Sequence, residues 1–327
     1  MDGCDVMAGS GTGITGKLKE HRVKSAFSGG FSHTALLYRD RNEYLSGLAR
    51  FAEAAAEVGA PLQAVLPGGS TDTLAGLPSC AMLADMTDLG RNPARLIASG
   101  QTFVDSHPER HVCCLWEPVW PGRSSAELCE VTRHEALSNL AFTGQPLTLL
   151  CLYDASALSA ESLRDIELTH PAVILGRQRL NSAGYLGPGR VPPRCDAALP
   201  PPPADAESLA FTDNLGQVRE ISARHAEAAG LSGARVNDLR LAVSEVAANA
   251  FGYARGGVLS AWHRVGEVAC QIEDSGYIPD LLAGRRRRPA DQPGGHGLWL
   301  VNRVCDLVER RTGPTGTMTR LHMRAAH

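Results

Sequence analysis

The sequence predicts two domains of mixed α/β character: a mostly parallel sheet covered by helices, followed by a smaller α+β sandwich. Three observations carry this. Short apolar runs alternate with segments of helical periodicity between residues 26 and 186. The composition then breaks at a Pro-rich stretch, residues 187–207. Beyond it the order is helix, helix, strand, strand, loop, helix, strand, strand. A chain of 327 residues suits two domains of ~100–200 residues each. With 43% hydrophobic and 20% charged residues it is not a disordered chain, and its core needs no disulfide or metal staple.

In the first half, His33–Tyr38 (HTALLY), Pro61–Leu66 (PLQAVL), His111–Trp116 (HVCCLW) and Pro146–Tyr153 (PLTLLCLY) are apolar runs of strand length. Tyr44–Val58, Ala94–His107 and Ser124–Phe142 between them have helical spacing. Strands alternating with helices imply a parallel sheet with both faces covered. The break contains Pro200–Pro203, which can occupy neither a helix interior nor a central strand, so it reads as an extended linker. In the second half, Leu215–Ala229 and Ala234–Tyr253 are amphipathic helices. Val258–Val265 and Val268–Glu273 are strands about a Gly266 turn, residues 278–296 a long loop, and Leu298–Leu307 a short helix. Leu307–Arg311 and Met318–Met323 close the domain as strands.

A net charge of −3 excludes a whole-chain basic footprint for nucleic acid. No apolar run reaches the ~18–20 residues of a membrane span, and the N-terminus lacks a secretory pattern. Nine scattered cysteines without a CxxC pair read as reduced thiols in a cytoplasmic protein. Zinc is not expected, because no ligands cluster in the sequence. Residues 1–25 read as a flexible tail. Gly11–Gly16 there fits GxGxxG and most of a Walker A loop, but no credible strand precedes it to aim the amides at a phosphate.

Four local features in the second half belong together. Glu245 and Asn249 stand four apart on one helical face, where a carboxylate and a carboxamide need partners if buried. An Asn oxygen is a suitable hard ligand for Mg²⁺. Asp274 ends a strand and can accept from an exocyclic amine, while Gly276 lets backbone approach a flat ring. Gly295-His296-Gly297-Leu298 opens the short helix, where free N–H groups and the dipole favour a phosphate. Thr317 enters the last strand, where its hydroxyl could hydrogen-bond a ligand.

In this order and spacing the four resemble the N, G1, G2 and G3 boxes of the GHKL ATPase/kinase superfamily, over residues 208–325. Within it the small anti-sigma-factor serine kinases are the most similar. The resemblance implies the Bergerat ATP-binding fold, with ATP and Mg²⁺ as cofactors. It would give Asn249 the Mg²⁺, Asp274 the adenine amino group, Gly276 room for the ring and Thr317 a supporting contact. It would place Gly295, His296, Gly297 and Leu298 at the phosphates, and make Glu245 the general base or the group that orients the attacking hydroxyl. Ile278 departs from the family pattern, which has a second Gly there. The run Arg285–Arg288 in the loop reads as a solvated charge run, with phosphate screening or an acidic partner as the alternative.

His33, the Glu117-Pro118-Val-Trp120 segment, Arg133-His134-Glu135-Ala136, Tyr153-Asp154 and His170-Pro171 resemble the MEDS sensory domain, which is RecA-like in fold. Trp116 stands where relatives have Gly. From the residues alone, His33, Glu117, Trp120, Tyr153 and Asp154 lie at or just after strand ends, where open parallel sheets bind ligands. They are the sensory candidates; the resemblance does not fix what is sensed, a small organic molecule being one option and a partner the other.

The resulting expectation is a cytoplasmic regulator in which a sensor (26–186) controls a Mg·ATP-dependent serine/threonine kinase domain (208–327). Its partners would be a sigma factor or an anti-sigma-factor antagonist, and it would be a homodimer. No nucleic-acid or membrane partner is expected. One alternative is a non-catalytic module that binds the sigma factor or antagonist. Another is an atypical histidine kinase, which would lack its own phosphoacceptor helix; His225 has neither the acidic sequence neighbour nor the hairpin that role requires.

Overall fold

The computed structural model describes residues 30–68, 77–286 and 295–325. The chain divides into two compact units. The first comprises Met1–Gly90, Ser99–Arg123 and Glu135–Pro192; the second comprises Arg91–Ala98, Ser124–His134 and Pro193–His327. The N-terminal tail with its glycine motifs and part of the arginine run lie outside the described residues.

In chain order the first elements are β1 (Ser32–Tyr38), α1 (Arg41–Glu57), β2 (Leu62–Leu66), β3 (Met82–Asp85), α2 (Met86–Leu89) and α3 (Ala94–Asp105). Then come β4 (Val112–Trp116), α4 (Ser125–Ala141), β5 (Leu147–Asp154), α5 (Ala160–Thr169), β6 (Ala172–Leu175) and β7 (Gln178–Asn181). The strands form one sheet in the order β3-β2-β4-β5-β1-β6-β7, parallel except for the β6–β7 pair at one edge. β2 and β4 are buried at every position, as expected of parallel strands covered on both faces. Helix α1 begins at Asp40, whose carboxylate accepts from the Asn42 and Glu43 amides. It buries Gly47, Leu48, Ala52 and Ala55 against Leu36, Leu62, Leu115 and Leu152 of the strands. Trp116 is wholly buried. Its indole N–H donates to Gln63 at 3.2 Å, and its ring lies where a Cβ on Gly100 would come within 3.0 Å. The bulk of Trp116 is therefore taken up by the core, opposite a glycine.

The second half contains α6 (Pro193–Asp196), β8 (Glu207–Phe211), α7 (Leu215–Ala228), α8 (Gly233–Ala254), β9 (Gly257–Arg264) and β10 (Glu267–Asp274). It ends with α9 (His296–Val304), β11 (Leu307–Gly313) and β12 (Gly316–Arg324). The sheet is antiparallel throughout, in the order β11-β12-β10-β9-β8. One side of α8 supplies Val236, Leu239, Val243, Val246, Ala247 and Ala250 to a core shared with Leu259, Ile272, Val301 and Leu321. The fold class expected from the sequence is the one observed. The edge strand β8 was not expected; only Phe211 of its five residues is fully buried, so it lacks a strong apolar signal. No helix among the described residues is long and apolar enough to cross a membrane.

Candidate functional site

In the second unit the four sequence features come from α8, the end of β10, the start of α9 and the start of β12. Asp274 and Thr317 are paired across the β10–β12 ladder. Both line a cavity of about 370 Å³ together with Thr312, Gly316 and Met318. The Asp274 carboxylate accepts from the Gly276 amide at 2.7 Å. Burial raises its pKa above the ordinary carboxylate value, and the Gly276 N–H pulls the other way. Thr317 is buried and donates to the Gly276 carbonyl at 2.8 Å, holding the chain that follows Asp274. Thr312 Oγ1 lies 2.8 Å from Thr317 Oγ1 and accepts from the Ile278 amide at 3.0 Å. The position that departs from the glycine pattern is thus pinned to β11 through its backbone. A Cβ on Gly276 would lie 2.8 Å from Asp274 Oδ1, so a larger residue there would crowd the Asp274 carboxylate.

Gly295 precedes α9 in the left-handed conformation (φ 76°), with no side chain capping the helix. His296 is the first, exposed residue of α9, and Leu298 packs on the core from its first turn. Gly297 lies against Glu245: a Cβ there would be 2.3 Å from Glu245 Oε2. This contact places the carboxylate beside the N-terminal turn of α9, where the dipole favours negative charge. Asn249 stands one turn further along α8, half-buried like Glu245. Arg285 is buried and ion-paired to Glu130 at 3.0 Å within this unit, so that residue does not belong to a solvated charge run. His225 has Glu207 3.0 Å from its Nε2 and His263 2.9 Å from its Nδ1. An acidic neighbour thus exists in space that the sequence around His225 does not show.

In the first unit the sensory candidates do not form one site. Glu117, just after β4, accepts from the Tyr38 hydroxyl at 2.7 Å and the Tyr44 hydroxyl at 3.1 Å. Burial raises the Glu117 pKa against those two donors. Asp154 ends β5 and caps the turn to Ser156. These residues lie at the carboxyl ends of the strands. Trp120 is in the loop after β4, with the Arg123 guanidinium 3.6 Å over its ring. His33 lies instead near the amino end of β1, on a different cluster. Its Nε2 is 3.0 Å from Glu135 Oε2, and Tyr153 donates to the other Glu135 oxygen at 2.7 Å. Cys151, Asn139 and His170 complete that cluster. None of these three was singled out as a site residue, because they are separated along the chain and share no local spacing.

Two family models match the chain. Residues 32–171 match the MEDS model, a methanogen/methylotroph and DcmR sensory domain. Residues 210–323 match the histidine kinase-like ATPase domain. The chain is a MEDS domain followed by a histidine kinase-like ATPase domain. Both resemblances read from the sequence are therefore met, and the ATPase domain implies ATP as its ligand. Among solved structures, the RsbU and RsbW domains of Rv1364c from Mycobacterium tuberculosis are 22% identical, with a TM-score of 0.27. That match covers 36% of this chain and 32% of the other, so this chain spans about a third of that protein's length. A DnaB-like replicative helicase, solved with its primase interactions, is 9% identical with a TM-score of 0.28. It covers 77% of this chain and 57% of the helicase chain. No curated protein matches.

Proposed function

We propose that the ATPase domain is a Mg·ATP-dependent protein serine/threonine kinase of the anti-sigma-factor type, controlled by the MEDS domain before it. The observation that most supports a kinase is the seat of Glu245. Its carboxylate lies against Gly297 in the first turn of α9, on the same helix as Asn249 and beside the segment whose amides would take phosphate. Asp274 would accept from the adenine amine, and Gly276 would leave room for the ring. Thr317 would hold that edge of the cavity. The Asn249 amide oxygen fits Mg²⁺, which when bound would neutralise phosphate charge. Glu245 would take the proton of a substrate Ser or Thr hydroxyl as its oxygen bonds to the γ-phosphorus. The bond from that phosphorus to the bridging oxygen breaks, and ADP leaves with the electron pair. The partner would be a sigma factor or its anti-sigma antagonist, and the kinase would act as a homodimer in the cytoplasm. This finer type rests on the helix and box spacing.

Calorimetry of Mg·ATP with wild type and with Asn249→Ala tests the nucleotide site. Binding that disappears in the variant supports it. A folded wild type that binds no Mg·ATP overturns the kinase, leaving a switch that works by capturing its partner.

A further inference from the structure

We propose that the MEDS domain holds one buried divalent transition-metal ion of the zinc class, ligated by His33, Glu135, Cys151 and His170. Each offers one ligand atom, and these atoms all lie within 4.8 Å of one another. Glu135 Oε2 is 3.0 Å from His33 Nε2, 3.5 Å from His170 Nε2 and 3.5 Å from Cys151 Sγ. Cys151 Sγ is also 3.5 Å from His33 Nε2. Tetrahedral zinc with ordinary Zn–N, Zn–O and Zn–S bonds separates its ligand atoms by about 3.3–3.6 Å. All four residues are at most 2% exposed. They come from β1, α4, β5 and the residue capping α5, so one ion would tie four elements together.

The hydrogen bonds around the cluster argue for a cation at its centre. Asn139 donates through Nδ2 to the carbonyls of Glu135 and Thr169, which leaves its Oδ1 to accept from His33 Nδ1 at 3.1 Å. His170 Nδ1 lies 2.8 Å from the Ile166 carbonyl, which can only accept. Both imidazoles therefore carry their proton on Nδ1 when neutral, and both turn the Nε2 lone pair inward. These lone pairs face a carboxylate oxygen. Lone pairs facing one another in a buried site repel unless a proton or a metal ion stands between them. A proton on each imidazole would bury two imidazolium charges against one carboxylate, and a single proton on Glu135 Oε2 can serve only one of the two Nε2 atoms. A divalent ion on a carboxylate and a thiolate is neutral overall, the thiol proton going to solvent. Outward anchoring of each histidine and the Tyr153 bond to Glu135 Oε1 are the outer-shell supports that orient metal ligands. Imidazole and thiolate together select zinc-like ions over Mg²⁺ or Ca²⁺. A cavity of about 340 Å³, lined by His33, Asn139, Pro171 and Tyr185 among others, borders the cluster.

The test uses the full chain, purified without a metal resin, stripped with a chelator and then titrated with Zn²⁺ and Co²⁺. Wild type should take up one ion per chain, melt at a higher temperature with Zn²⁺, and show a thiolate-to-cobalt charge-transfer band. Cys151→Ser should lose that band and the Zn²⁺-dependent rise in melting temperature. Cys114→Ser, which alters a buried thiol on β4 that is not among the four ligands, should keep both. Folded wild type that takes up neither ion overturns the proposal and leaves a protonated hydrogen-bond network. So does equal binding by the two serine variants. Wild type and Cys114→Ser decide the matter even if Cys151→Ser fails to fold.

Discussion

The two domains gather similar chemistry on opposite plans. In the ATPase domain, Glu245, Asn249 and Asp274 are each half-buried, and Asp274 borders a cavity. Asp274 accepts from the Gly276 amide, and Glu245 lies against Gly297 in the first turn of α9. In the MEDS domain, His33, Glu135, Cys151 and His170 are buried and lie against one another. An open arrangement lets a ligand enter and leave, and it leaves polar groups hydrated at little cost. A closed one must satisfy every polar atom internally, so each member depends on the others. Altered, the first site should therefore fail in its chemistry and the second in its stability.

The largest effect should be on the open site. Glu245→Ala is expected to lower phosphotransfer by about 10²–10⁴-fold, with Mg·ATP binding unchanged in calorimetry. Transfer of labelled phosphate at the wild-type rate would remove Glu245 from the reaction.

The closed site sharpens the contrast through Tyr153→Phe. The change deletes a hydroxyl that donates to a buried carboxylate at 2.7 Å and leaves the ring in place. It should cost about 1.5–3 kcal/mol of stability, the worth of a hydrogen bond to a charged group, read by denaturant unfolding. An unfolding midpoint equal to wild type would show that Glu135 needs no such donor, and the contrast between the two plans would lose its second half.

Gly297→Ala probes the open site from its backbone side. The added methyl would meet Glu245 Oε2 at 2.3 Å, so either the carboxylate or α9 must move. Overpacking of this kind costs about 1–3 kcal/mol. The loss should fall more on phosphotransfer than on the melting temperature, because a half-buried side chain can swing away. A variant with full activity would mean that the seat of Glu245 is not the reactive one.

The same difference explains what could be read in the sequence. The nucleotide features are local: Glu245 and Asn249 share a helix face, Asp274 and Gly276 share a turn, and Gly295 to Leu298 open one helix. Spacing of a few residues survives in sequence, so each was legible, and the ATPase-domain match spans all of them. The buried cluster is assembled by topology. Parallel pairing of β1 with β5 sets His33 opposite Leu149 and Ala35 opposite Cys151, residues more than a hundred positions apart. Glu135 and Asn139 reach it from α4. No spacing rule joins such residues, so zinc-type chemistry was not expected and Cys151 was not singled out. The edge strand β8 was missed for a related reason, since it earns its place by pairing with β9 and buries little of its own.

The smallest expected effect concerns pH, and it asks whether a partly solvated ionic cluster titrates. His322 on β12 places Nε2 2.9 Å from Glu309 Oε2 and Nδ1 3.3 Å from Glu267 Oε1. Burial alone would lower the imidazole pKa; the two carboxylates overcome it, so the net shift is upward. Burial pushes the Glu309 carboxyl up, but the His322 contacts bring it below its ordinary value. The His322 hydrogen bond likewise lowers Glu267. The raised histidine contributes stability that is full below its ordinary value of about 6.5 and fades as pH rises through its higher folded value. The lowered carboxylates contribute above their ordinary range, and that part fades as pH falls through their folded values. His322→Gln should therefore be less stable than wild type in mildly acidic solution and converge on it as the solution turns alkaline. A stability gap that is constant with pH, or widens on the alkaline side, would mean that His322 folds uncharged. In that case even this partly exposed histidine of the ATPase domain would follow the closed plan, with its proton fixed by the fold rather than exchanged with solvent.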